Sequence, residues 1–98
     1  MEHFKMFING EQVEAIKGGK AEAIDPGTGK PFATFAYGGP EDADAAVDAA
    51  RKAFDSGVWS DMPPVERSRI LIELSDLLYE YMPIIAQYEA LDSGGLIT

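Results

Sequence analysis

Gly39-Pro40-Glu41-Asp42-Ala43-Asp44-Ala45-Ala46-Val47-Asp48-Ala49-Ala50-Arg51-Lys52-Ala53-Phe54-Asp55-Ser56-Gly57 is the stretch on which the reading of this chain turns. Its start carries helix signals in the right order. Gly39 is placed to be the N-cap, Pro40 takes the first helical position, and Glu41, Asp42 and Asp44 sit where the amide dipoles favour negative charge. Ala43, Ala46, Val47, Ala50 and Phe54 then recur at spacings of three and four, which puts them on one narrow face. Arg51 and Lys52 are expected in the last turn, and Gly57 is the stop. A helix follows, and its small alanines allow a neighbour to approach closely.

Toward the N-terminus the period changes to that of strands broken by turns. Phe7-Ile8 and Glu11-Gln12-Val13-Glu14-Ala15 flank Asn9-Gly10, a pair suited to a two-residue hairpin turn in which both residues take positive φ. Ala21 to Asp25 and Lys30 to Tyr37 flank Pro26-Gly27-Thr28-Gly29, which predicts a second antiparallel pair. Toward the C-terminus, Pro63-Pro64 opens a second helix with a wide apolar face of Ile70, Leu71, Leu74, Leu77, Leu78 and Tyr81. Pro83 removes a helical hydrogen bond and crowds the preceding turn, so a break is expected near Met82, with a third helix through Ile84, Ile85, Tyr88 and Leu91. The fold class expected is therefore α+β: two short antiparallel hairpins followed by about three helices.

Composition limits what such a chain can do. Ninety-eight residues with 46% hydrophobic and 26% charged side chains suit one small folded unit or a portion of a larger one, too small for a roomy active site of its own. A net charge of -9, with no basic cluster to offset it, argues against nucleic acid and anionic membranes as partners. The absence of cysteine removes disulfides, thiolate metal sites and thiol nucleophiles from these residues. No stretch approaches the roughly 20 apolar residues of a membrane-spanning helix, and a cytoplasmic location is the expectation.

Each cluster that could carry chemistry has a plainer reading. Glu41, Asp42, Asp44 and Asp48 are read as dipole partners and a solvated face rather than an acid/base pair. His3, the single imidazole, stands near the terminus with no partner at fixed spacing. Lys17-Gly18-Gly19-Lys20 and Gly27-Thr28-Gly29-Lys30 lack the full spacing of a phosphate loop and are read as turns. Trp59, beside Met62 and Phe54, is read as core or interface.

Five pieces in order resemble one family. Phe7-Ile8-Asn9-Gly10-Glu11 is similar to the opening hairpin of the aldehyde dehydrogenase superfamily, and Ile24-Asp25-Pro26-Gly27-Thr28-Gly29 to its "I-N-P-x-T-G" turn, with Asp25 where Asn is usual. Ala49-Ala50-Arg51-Lys52-Ala53-Phe54 resembles its "A-A-R-x-A-F" helix end. Trp59-Ser60 with Glu66-Arg67-Ser68-Arg69-Ile70-Leu71 resembles "W-S … E-R-x-x-I-L", and Glu89 to Gly94 resembles "E-x-x-D-x-G".

The resemblance implies that residues 1–98 are the incomplete N-terminal portion of an α/β coenzyme-binding domain. It implies a parent enzyme that oxidises aldehydes to carboxylic acids with NAD or NADP, its partners being the remainder of that enzyme and, through it, a homo-oligomer. Neither catalytic nor cofactor-binding residues are expected in this portion. One site is carried over by resemblance alone: a structural monovalent cation held by the backbone carbonyls of Ala23 and Ile24 and by Asp92, with further ligands from outside these residues. The ending at Leu96-Ile97-Thr98 reads as cut, and the alternative expectation is a stand-alone acidic module that binds another protein through its exposed helical face.

Overall fold

The structure, a computed structural model, describes residues 1–96. Five strands precede two helices: β1 (Glu2–Phe4), β2 (Met6–Ile8), β3 (Glu11–Val13), β4 (Lys20–Asp25), β5 (Lys30–Ala36), α1 (Pro40–Ser56) and α2 (Pro64–Ser93). β2 and β3 form the expected first hairpin, antiparallel with Met6 opposite Val13. Asn9 and Gly10 both have positive φ, 55° and 77°, which matches the right-handed twist of the flanking strands. β4 and β5 form the second antiparallel pair. Its turn closes on Asp25, whose carbonyl accepts the amides of Thr28 and Gly29 while its carboxylate accepts that of Gly27 at 2.8 Å.

A third strand was not anticipated. β1 lies parallel to the far side of β5, with His3 opposite Thr34 and Phe4 opposite Phe35, giving the order β1-β5-β4. At three residues it is too short to show an alternating pattern. The ladder between β4 and β5 slips between Ala23 and Ile24, so that Ala23 faces Ala33 but Ile24 faces Pro31. Proline has no amide hydrogen, so Pro31 cannot complete the ladder there.

α1 begins and ends as its sequence predicts, between Gly39 and a left-handed Gly57, although its last turn holds no basic residue, Arg51 and Lys52 lying one turn earlier. The break at Pro83 does not occur. α2 runs unbroken for 30 residues, about 45 Å at the usual rise, so the helices number two where about three were expected. Pro83 deletes the bond to the Tyr79 carbonyl and no more. Strong helix formers on both sides, among them Leu77, Leu78, Glu80 and Ala86, carry the helix past it. α2 ends at Gly94, whose φ of 75° only glycine adopts readily; an added Cβ would also lie 3.0 Å from the Pro26 ring in the β4–β5 turn.

Very little is buried by these elements together. Ala15, Ala33 and Ala36 are the buried apolar residues among those described, and no large side chain is fully enclosed. The radius of gyration is 17.1 Å, against about 13 Å for a compact domain of this length. The accessible surface is 7719 Å², roughly 2,200 Å² more than the ~5,500 Å² of a folded monomer of this mass. Leu71, Leu74, Leu77 and Leu78 on α2 are each about half exposed, and Val47 and Phe54 on α1 more so. An α-helix this apolar is built to be covered, and within this chain its C-terminal part meets the sheet, chiefly at β4 and through Tyr88 at β1.

Candidate functional site

The sheet and the C-terminal half of α2 enclose an open cavity of about 420 Å³. Ala23 on β4 and Asp92 on α2 both line it, so two of the three residues marked for a cation in the sequence share one space although they lie far apart in the chain. Ile24 is not among the lining residues; it follows Ala23 at the slipped register, opposite Pro31. Phe4, Phe32, Phe35 and Tyr88 supply the apolar wall, and Glu89 stands near Asp92 as a second carboxylate. A hard cation takes carbonyl and carboxylate oxygens, and the β4 carbonyls beside an interrupted ladder are the right type of donor. The donor set is incomplete. Among the described residues no three His, Cys, Asp or Glu side chains stand close enough to hold a metal ion.

The acidic cluster on α1 divides into distinct roles. Asp42 is 5% exposed; its carboxylate accepts the Ile16 amide at 3.1 Å and the Gly39 amide at 2.9 Å, tying the chain after β3 to the helix start. It is thus a buried structural acceptor, not part of the solvated face expected from the sequence. Glu41 pairs with Lys17 at 2.9 Å, and that contact holds its carboxyl below the usual range. Asp48 pairs with Lys52 one turn on, at 3.0 Å. With Glu41 and Asp42 already at the first turn of α1, that end offers no cradle for a phosphate. The glycine-containing segments are turns: the Gly18 amide donates to the Ala15 carbonyl, and Gly29 to Asp25.

His3 has partners that its place in the sequence hid. Its Nδ1 lies 2.7 Å from Thr34 Oγ1 and its Nε2 2.8 Å from a Glu14 carboxylate oxygen. The His3 hydrogen bond holds the Glu14 carboxyl below the usual range, assisted by the charges of His3, Lys20 and Lys5 against a burial effect of opposite sign. Across the sheet the Tyr88 hydroxyl donates to the Glu2 carboxylate, which raises the Tyr88 pKa. The His3 group lies on the face of the sheet away from α2, whereas Tyr88 borders the cavity that Glu89 and Asp92 also line. Trp59 is exposed and lines an open groove with Arg67 and Leu71 of α2, so it is not a core residue among the described elements.

Comparison with known proteins decides what this arrangement belongs to. Residues 13–98 match the aldehyde dehydrogenase family. The chain belongs to that family. It is similar to aldehyde dehydrogenase 1 of Tanacetum cinerariifolium, 47% identical over 92% of this chain and 18% of the relative, and to the mitochondrial benzaldehyde dehydrogenase of Antirrhinum majus, 42% identical over 96% and 18%. The structure superposes on the NAD+ complex of aldehyde dehydrogenase from Bacillus cereus with a TM-score of 0.87, at 47% identity over 92% of this chain and 18% of that one. Betaine aldehyde dehydrogenase from Staphylococcus aureus, also solved with NAD+, gives 0.86 at 33% identity over 90% and 17%. The chain thus spans under a fifth of the length of these aldehyde dehydrogenases and corresponds to their N-terminal region. The bare face of α2 is the face of a family segment whose usual surroundings are the rest of such an enzyme.

Proposed function

We propose that this chain is the leading segment of an NAD(P)-dependent aldehyde dehydrogenase, in which it builds the outer part of the coenzyme-binding domain and supplies no reacting group. The observation that carries the reading is the surplus of roughly 2,200 Å² of exposed surface on a chain that belongs to this family. That area has the size of a permanent interface. The remainder of the polypeptide covers α2, and the whole enzyme associates as a homo-oligomer.

The reaction of the whole enzyme is oxidation of an aldehyde to a carboxylic acid; NAD or NADP, when bound, accepts the hydride. With no cysteine among its residues, the chain leaves any thiolate nucleophile to residues outside it. Its own residues hold a frame: Asp42 fixes the start of α1, and the β4–β5 turn meets Gly94 at the end of α2. The carbonyls of Ala23 and Ile24, with Asp92, form one side of a structural site for a monovalent cation. Ala23 and Asp92 share a cavity, and Pro31 offers no amide to the strand opposite; both features support that reading.

The test is aldehyde-dependent formation of reduced nicotinamide by the whole protein and by Glu41→Gln, Asp44→Asn and Glu89→Gln variants. Turnover with NAD+ or NADP+ that changes little across the variants is the expected result. No aldehyde-dependent reduction of either coenzyme overturns the activity. A fall of about a hundredfold or more in kcat for one correctly folded variant, the size expected of a general acid or base, overturns the scaffold role.

A further inference from the structure

β1 is three residues long, and its alternate residues hold different parts of the chain on the two faces of the sheet. Glu2 and Phe4 point to the face that α2 covers. The Glu2 carboxylate accepts the Tyr88 hydroxyl, and the Phe4 ring meets the Tyr88 ring edge to face, 5.4 Å between centroids at 87°. His3 points to the opposite face, as alternate residues of a strand must. There it bridges Thr34 of β5 and Glu14, one residue beyond β3.

The roles of the imidazole nitrogens follow from their partners. A carboxylate only accepts, so Nε2 carries the hydrogen toward Glu14. In the neutral ring Nδ1 then accepts from the Thr34 hydroxyl; in the imidazolium Nδ1–H donates to the same oxygen. The bridge closes in either state because a hydroxyl can reverse its role. Histidine protonation alone leaves it intact.

We propose that Glu2-His3-Phe4 is a clasp that positions the C-terminal half of α2 and the Met6–Val13 hairpin on opposite faces of one sheet, and so sets the spacing between Ala23 and Asp92. The clasp stands on contacts that need no cation, whereas its consequence for ion binding rests on the cation reading given above. Glu2, His3 and Phe4 act as positioning residues.

Hydrogen exchange on the whole protein, resolved to peptides, tests the clasp. His3→Ala and Phe4→Ala are expected to speed exchange in residues 85–92 by about tenfold relative to the parent protein, with residues 64–75 unchanged. His3→Gln, which can still donate to Glu14, restores part of the protection. Exchange that rises equally along α2, or nowhere, overturns the proposal. The melting temperature in potassium chloride against choline chloride at equal ionic strength separates the two readings. A potassium-dependent rise in the parent protein that shrinks in Phe4→Ala supports both. No rise in the parent protein, with the exchange pattern intact, removes the cation and leaves the clasp; an undiminished rise with unchanged exchange removes the clasp.

Discussion

The Asp42 carboxylate accepts the main-chain amide of Ile16 at 3.1 Å, joining the first helix to a loop twenty-six residues earlier. Its other oxygen takes the Gly39 amide, so a single side chain satisfies two donors that no other backbone group meets. Asp42→Ala leaves both part-buried amides without this acceptor, with an expected loss of roughly 1 to 2 kcal/mol of stability. Asp42→Asn, which keeps one accepting oxygen, should lose about half as much. Urea unfolding followed by circular dichroism measures both, and an alanine variant as stable as the parent would refute the role.

The Glu14 carboxyl is held below its usual range in the folded protein, first by the His3 hydrogen bond and then by the charges of His3, Lys20 and Lys5. A lowered folded-state pKa means the contribution is fully present above the ordinary glutamate value, near 4.3, and is lost as pH falls through the lowered value. Glu14→Gln keeps an accepting oxygen but does not titrate. The acid limb of the stability curve is therefore expected to be shallower in the variant, and superimposable curves would count against the contact.

Pro83 leaves the Tyr79 carbonyl without its helical donor in the middle of α2. Pro83→Ala restores that bond at a position already helical, and a gain of roughly 1 to 3 kcal/mol is expected. Thermal unfolding of the whole protein reads the change. A loss of stability would mean that a group outside this segment already donates to Tyr79.

Leu74 and Leu78 stand on adjacent turns of α2, each about half exposed. Purified by itself, the 98-residue chain is expected to self-associate through this face, and a Leu74→Glu/Leu78→Glu variant to sediment as a smaller species. In the whole enzyme the same pair places two charges in an interface and should abolish soluble expression. A monomeric parent chain with no change on substitution would show that the face needs no cover.

How much of this was legible in the sequence depended on whether the signal was local. Asn9-Gly10 announces a hairpin because its backbone geometry is set within two residues, and Gly39-Pro40 announces a helix for the same reason. β1 carried no such signal, since three residues next to a long-range parallel partner leave no period to read. His3 was set aside because its partners, Thr34 and Glu14, lie 31 and 11 residues away and meet it only once β1 docks. Pro83 misled in the opposite direction: the local rule predicts a break, but the sum of helix preference on either side outweighs one missing bond. The residues proposed for a cation were named through resemblance alone, because backbone carbonyls have no residue type to recognise. The structure then placed Ala23 and Asp92 around one cavity and left Ile24 off its lining.

The bareness of α2 also fixes an order of events at the ribosome. If this chain leads a whole enzyme as proposed, it makes up under a fifth of the length and would emerge long before the residues that cover it. At ordinary synthesis rates of about 5 to 20 residues per second, an apolar helix some 45 Å long waits tens of seconds in water for its cover. On the proposed reading, the nascent chain would through that interval offer Leu71, Leu74 and Leu78 to any chaperone that binds apolar surface, and the folding yield of the whole enzyme would depend on which partner meets this helix first.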